Sequence, residues 1–240
     1  MNLLSKTFHG LENVLAKELA ELGATNIATH TRAVTFDADK ALMYKANLHL
    51  RTALNVLRPI HKFTAKSENE LYKKSLDFDL SRYLKQLQTF AVFGAGFSER
   101  FKNIKYTSLK IKDAIADRFV RATKFRPSVD RENPDVRFDI HIFKEQITVY
   151  INSSGEMLNR RGYRDPRAKA PLNEVLAAGM IKLAGWNAEQ PFIDPMCGTG
   201  TLPIEAAMMA RNIPPAIKRK EFGFMKWLDF EPELWEEISK

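Results

Sequence analysis

Asp194-Pro-Met-Cys-Gly-Thr-Gly-Thr201 joins a carboxylate to a glycine turn, and the segments on either side of it decide how this part of the chain is built. In front, Pro191-Phe-Ile-Asp194 reads as a short buried strand; behind, Leu202-Pro-Ile-Glu-Ala-Ala-Met-Met-Ala-Arg211 reads as a helix. Gly198 and Gly200 permit positive φ and let backbone N–H groups approach a ligand with no Cβ in the way. Asp194, at the carboxyl end of a strand in an open α/β sheet, stands where ligands of such sheets bind. A carboxylate there accepts hydrogen bonds from an ammonium or a hydroxyl, which suits an amino-acid-bearing nucleoside better than a pyrophosphate. Two phosphate-binding patterns fail on spacing: there is no G-x-G-x-x-G, and no Lys follows the turn as a P-loop requires. A bare G-x-G is weak, because many tight turns use glycine for backbone reasons alone, but the eight-residue string is far more specific.

Asp194–Arg211 resembles motif I of the THUMP-containing class I methyltransferases, which bind S-adenosylmethionine there, and in particular the large-subunit ribosomal RNA guanine-N2 methyltransferases. The resemblance extends upstream through Leu158-Asn-Arg-Arg-Gly-Tyr-Arg164 and Ala170-Pro-Leu-Asn-Glu-Val-Leu-Ala-Ala178, and downstream through Asn212-Ile-Pro-Pro215 and Phe222-Gly-Phe-Met-Lys-Trp227. It implies that Asp194, Pro195, Met196, Cys197, Gly198, Thr199, Gly200 and Thr201 contact the cofactor, with Cys197 a small, tightly packed member of the turn. Asn173 is a further cofactor-side candidate, because in this family the helix before the first strand helps close the pocket. Its plainer role is a first-turn polar residue. Proteins of this kind also carry the label adenine-N6 DNA methylase, which a fold cannot adjudicate.

Composition bounds the rest. With 240 residues, 45% of them hydrophobic, the chain can bury a sizeable core in one or two domains. A formal charge of +8 and a pI near 9.5 favour an anionic partner. Cys197 is the sole cysteine, which excludes an internal disulfide framework and is compatible with a reducing compartment. His9, His30, His49, His61 and His141 form no metal-binding pattern, so no metal is expected. Met1–Phe8 lacks the basic start and apolar core of a signal peptide, and no apolar run has the length of a membrane span. The expectation is a cytoplasmic protein with no membrane partner.

Three regions separate by pattern. Residues 1–63 read strand, helix, hairpin, helix, strand, a ferredoxin-like βαββαβ order: Leu3–Phe8, the Leu11, Leu15, Leu19, Leu22 stripe ended by Gly23, Asn26–His30 with Ala33–Asp37, Lys40–Leu50, and Asn55–Phe63. Residues 64–154 read as helices at Glu68–Leu76 and Leu80–Leu87, a strand at Thr89–Phe97, a helix between Ser108 and Lys124, and a hairpin. In the hairpin, Val136, Phe138, Ile140 and Ile142 alternate with polar residues, as do Ile147, Val149 and Ile151. This order resembles a THUMP domain, which implies recognition of a structured RNA. Residues 155–240 open with the linker Gly155–Asp165 and a helix from Pro171 to Leu183 that faces Leu172, Val175, Leu176, Gly179, Met180 and Leu183 inward. The fold expected is thus α+β, ferredoxin-like plus THUMP, followed by the incomplete start of an α/β class I (Rossmann-like) methyltransferase domain.

Phosphate contacts fall to the polar side of the 108–124 helix, Lys110, Lys112, Arg118 and Arg121, and to Arg160, Arg161 and Arg164 of the linker. For any one of these the commoner state is an ordinary solvated charge, and Asp113 and Asp117 interrupt the helix face. Glu205 reads as helix surface or as support for the cofactor residues. Phe222, Phe224, Trp227, Phe230 and Trp235 read as core aromatics before base-stacking ones. The Asn/Asp-Pro-Pro-Tyr/Phe motif of amino-group methyltransferases matches neither Asn133-Pro134-Asp135 nor Asn212–Pro215, and the resemblance implies that Asp229, in an insertion after the first helix of the domain, falls ahead of the position of a ribose-binding acid. No catalytic residue is therefore assigned, and the remainder of the site is expected beyond Lys240. The expected function is RNA methylation by S-adenosylmethionine in a longer parent enzyme, with the chain alone inactive. The alternatives are an RNA-binding fragment without activity and a DNA adenine-N6 methylase.

Overall fold

The computed structural model describes residues 1–164 and 171–240, which divide into two compact units. The last residue of the Gly155–Asp165 linker and the first of the Ala170–Ala178 string lie outside the described residues. One unit comprises Met1–Val56, Glu156–Phe222 and Glu231–Lys240; the other comprises Leu57–Gly155 and Gly223–Phe230. The chain passes from the first to the second within one strand.

The first unit begins with β1 (Asn2–Lys6), α1 (Glu12–Glu21), β2 (Thr25–His30), β3 (Ala33–Asp37) and α2 (Lys40–His49), and β4 (Asn55–Thr64) completes the expected βαββαβ order. β3 lies between β1 and β2 and is antiparallel to both. Leu15 and Leu19 of α1 are fully buried, as are Val34 and Phe36 of β3, so the period of four in the helix and of two in the strand each deliver a core face. Gly23 ends α1 in a left-handed conformation. Asp39 caps α2 by accepting the Leu42 amide at 2.7 Å.

In the second unit, α3 (Glu68–Ser75) starts at Ser67, whose Oγ accepts the Glu70 amide at 3.2 Å. It is followed by β5 (Thr89–Phe97), α4 (Ile104–Thr123), β6 (Ser128–Val129), β7 (Val136–Phe143) and β8 (Gln146–Asn152). The strand order is β4-β8-β7-β5-β6, with β7 and β8 antiparallel, and β5 parallel to both β7 and β6. The alternating hairpin residues meet across the ladder, Phe138 opposite Ile151, Ile140 opposite Val149 and Ile142 opposite Ile147, all buried. Each such side chain contributes about 1.5–3 kcal/mol over its exposed state. On α4, Ile111, Ile115 and Phe119 form the buried stripe and Ala116 is buried beside it. The segment 223–230 packs into this unit: Phe224 N donates to the Ser153 carbonyl at 2.9 Å, and Arg58 lies 4.5 Å over the buried Trp227 ring.

Three expectations need correction here. The second helix at Leu80–Leu87 is only a 3-10 turn, Leu80–Arg82. Asp79 Oδ1 accepts both the Ser81 amide and its hydroxyl, and Gln88 Oε1 accepts the Lys85 amide, so side chains compete with the helical ladder. Pro191–Asp194 is not a strand, because no neighbouring segment among the described residues pairs with it. The 171–183 helix, α5 (Glu174–Leu183), buries Val175, Ala177, Ala178 and Ile181 and leaves Leu176, Met180 and Leu183 exposed. This helix is apolar on both sides, so its pattern could not say which side packs. Gly179 lies on the packed side, close against the Leu11 side chain just ahead of α1.

Candidate functional site

The turn found in sequence opens a helix as expected. α6 (Thr201–Ala210) begins directly after Gly200, which stands at φ +75°, and Gly198 stands at φ +55°. Gly200 N donates to the Cys197 carbonyl at 2.8 Å, and Asp194 Oδ1 accepts the Met196 amide at 3.1 Å. Thr199 and Thr201 hydroxyls are 3.2 Å apart. A Cβ on Gly198 would meet nothing within 4 Å, so the space over the turn is open. Behind Pro191, Trp186 and Phe192 meet edge to face at 5.4 Å. The turn is solvent-facing: Ile193 is 83% exposed and Met196 89%. Cys197 is exposed too, which corrects its expected tight packing.

What holds α6 lies on its other side, and this the sequence did not reveal. Glu205 is fully buried, not a surface residue, and Arg161 is 1% exposed. Arg161 donates from one terminal nitrogen to Glu205 Oε2 at 2.5 Å and from the other to the Arg51 carbonyl at 2.5 Å. Tyr163 donates its hydroxyl to Glu205 Oε1 at 2.6 Å. Burial pushes the Glu205 carboxyl above its ordinary range, and the Arg161 guanidinium pulls it back; burial and the bond to Glu205 push the Tyr163 phenol up. Arg51 in turn donates to the Ile213 and Met208 carbonyls at 2.6 and 3.3 Å, where the C-terminal end of α6 leaves carbonyls to satisfy. Glu18 accepts the Arg51 amide and the Thr52 amide and hydroxyl at 2.7–3.2 Å, with Lys182 Nζ 3.3 Å away. One signal for this network was available: Arg161 and Tyr163, two residues apart around Gly162 at φ +83°, can face the same partner.

The remaining candidates separate by environment. Asn173 caps α5, its Oδ1 accepting the Val175 and Leu176 amides at 3.0 and 3.3 Å. Arg161 is enclosed and bonded, which removes it from the set that can touch a phosphate. Arg160 pairs with Glu156 at 2.8 Å at the surface, and Arg164 pairs at 2.9 Å with Glu174, which is buried. On α4, Lys110 pairs with Glu68 at 2.6 Å and Lys112 with Asp113 at 2.8 Å, while Arg118 and Arg121 are exposed. Asp229 pairs with Arg58 at 3.0 Å. Among the described residues no group of three or more His, Cys, Asp or Glu side chains could hold a metal ion, and no helix is long and apolar enough to cross a membrane.

Comparison with known proteins agrees with this layout. A RlmL ferredoxin-like domain model matches residues 2–57, a THUMP domain model matches 65–152, and an RMKL-like methyltransferase domain model matches 161–238. The chain is 39% identical over 98% of its length to a ribosomal RNA large subunit methyltransferase K/L of Photobacterium profundum, of which it covers 33%. It therefore spans about a third of the length of the curated relatives it matches. A predicted N6-adenine-specific DNA methylase of Listeria monocytogenes superposes with a TM-score of 0.88 at 30% identity, over 99% of this chain and 62% of that one. SMU.472, described as a methyltransferase and complexed with SAH, superposes with a TM-score of 0.86 at 31% identity, over 99% and 63%. In sequence and fold, over nearly its whole length, the chain is thus similar to the THUMP-containing class I methyltransferases, whose ferredoxin-like, THUMP and methyltransferase segments it carries in that order.

Proposed function

We propose that this chain serves an S-adenosylmethionine-dependent methyltransferase that forms N2-methylguanosine in large-subunit ribosomal RNA. The observation that carries the reading is the Asp194–Thr201 turn, with its two left-handed glycines and open space leading into the first turn of α6. S-adenosylmethionine supplies a sulfonium-bound methyl group. Asp194 is the acceptor for its ammonium or hydroxyl groups, and Pro195, Met196, Cys197, Gly198, Thr199, Gly200 and Thr201 form the backbone ledge under it. Support for the cofactor comes from the SAH held by a neighbour of the same fold. The apolar side of α5, with Ile193 and Met196, is the surface that further strands of the methyltransferase sheet would cover.

We divide the chain for this purpose into a ferredoxin-like part at 1–63, an RNA-binding THUMP part at 64–154, and a linker with methyltransferase part at 155–240. Lys110, Lys112, Arg118, Arg121, Arg160 and Arg164 are the proposed phosphate contacts, in the cytoplasm. The test is deletion of the gene followed by mass-spectrometric mapping of modified nucleosides. Loss of one N2-methylguanosine from large-subunit ribosomal RNA is expected. Unchanged ribosomal RNA would overturn the reading. A second reading, DNA adenine-N6 methylation, draws on the description of the Listeria neighbour and expects loss of N6-methyladenine from DNA instead.

A further inference from the structure

Residues 48–54, from the last turn of α2 to just before β4, fasten the chain on both sides of α6. Leu158 N donates to the Leu54 carbonyl at 2.9 Å, and Ala216 N donates to the Leu48 carbonyl at 3.3 Å. Between them stands Arg51, 8% exposed, whose Nη2 donates to the Ile213 and Met208 carbonyls and whose own carbonyl accepts a bond from Arg161. Glu18 of α1 accepts the Arg51 and Thr52 amides, which fixes the backbone from which this guanidinium reaches out. One loop of the ferredoxin-like part therefore bonds the linker, Arg161 and the C-terminal end of α6.

The other end of α6 is the Asp194–Thr201 turn. The helix has ten residues, a length of about 15 Å. Thr201, its first residue, and Glu205 lie one turn apart on the same side, and both are buried. Any slide of α6 along its axis, or rotation about it, would carry Gly200 and Thr201 with it. Arg51 opposes the slide at the C-terminal carbonyls, and Arg161 with Tyr163 opposes the rotation at Glu205. Stability is a poor reason for this network. Burial disfavours both charges, holding the Arg51 guanidinium below and the Glu205 carboxyl above their ordinary ranges. Arg51 Nη1 and Arg161 Nε are buried with no hydrogen-bond partner among the described residues. Apolar side chains of similar volume would fill the space at less cost. What they would not supply is direction, because a planar guanidinium fixes the distance and angle of the groups it bonds.

We infer that Arg51 is a positioning residue for the Asp194–Thr201 turn: with Arg161 and Glu205 it holds α6 so that the Gly198–Thr201 ledge is in place before S-adenosylmethionine arrives. A ledge already formed loses less freedom on binding, so the network acts on affinity for the cofactor. The ferredoxin-like part thereby tunes a ligand that it does not touch. This rests on the S-adenosylmethionine reading above and adds to it the residues that set the position of the turn.

The test joins calorimetry with S-adenosylhomocysteine on the full-length gene product to amide exchange of the same protein without ligand, read by mass spectrometry. Arg51→Met should raise the dissociation constant at least about fivefold and speed exchange across residues 198–205. Arg51→Lys should recover part of both. Tyr163→Phe, which keeps the ring and removes one bond to Glu205, should weaken binding by about two- to tenfold, and it carries the test if Arg51→Met does not fold. Val34→Ala, a cavity in the core of the same unit, should lower the melting temperature and leave the dissociation constant unchanged. Folded Arg51→Met or Tyr163→Phe protein with wild-type affinity and exchange would overturn the positioning role and leave the cofactor reading standing. Equal weakening by Val34→Ala would overturn it as well, since the network would then act only through general stability. No binding by the wild-type protein would overturn the cofactor reading and this inference with it.

Discussion

The β7–β8 hairpin and the Pro191–Asp194 stretch carry the same kind of sequence signal, short apolar runs in a strand-like setting, and reach opposite outcomes. In the hairpin, each alternating residue meets its partner across a turn of two residues, and the apolar side closes over Phe138, Ile140, Val149 and Ile151. In the stretch before the Asp194–Thr201 turn, no segment pairs with the backbone among the described residues, and Ile193 faces solvent. A strand is a property of two segments. Where the partner is local, pattern predicts structure; where it is distant, pattern predicts only the capacity to pair. The helix that follows packs differently again, with Glu205 buried against Arg161 and Tyr163 and no sheet partner among the described residues before it.

Five variants probe this contrast. Phe138→Ala should cost the second unit about 3–5 kcal/mol in urea denaturation, the cost of an unfilled core cavity. Arg161→Ala should cost the first unit about as much, roughly 3–5 kcal/mol, because it strands the buried Glu205 carboxylate. Arg161→Met with Glu205→Leu should recover most of that loss, since a buried pair is worth little beyond well-packed apolar groups; failure to recover would mean that the pair, not its space, holds α6. Asn173→Ala should cost about 1 kcal/mol through loss of the α5 cap, with faster amide exchange at Val175 and Leu176 as the local mark. Ile193→Ser should change stability by no more than about 0.5 kcal/mol. A loss above about 1 kcal/mol there would mean that the stretch is covered in solution, and the contrast with the hairpin would fail.

Most of the fold was legible because its signals were local. The ferredoxin-like order followed from the leucine stripe of α1 and its Gly23 stop, and the hairpin followed from strict alternation. The 3-10 turn at Leu80–Arg82 was missed because Asp79 and Gln88 side chains bind the backbone there, a competition that apolar spacing does not register. The packing side of α5 was missed because Val175 and Ile181 on one side and Leu176 and Met180 on the other are equally apolar. Of the site, the turn was visible as a string, since its glycines are required by φ. Arg161 was read as a phosphate contact or an ordinary loop charge and Glu205 as helix surface or support for the cofactor residues, and their burial depends on partners 44 residues apart in the chain. Charge alone does not distinguish a residue that meets solvent from one that meets its counterion.

The central claim, that this chain recognises RNA, is tested most directly by filter binding of the purified 240-residue protein to a large-subunit ribosomal RNA fragment and to duplex DNA of the same sequence, at equal salt. The account predicts RNA bound at least about tenfold more tightly, with affinity falling as salt rises. Equal affinity for the two, or a preference for DNA, would contradict it.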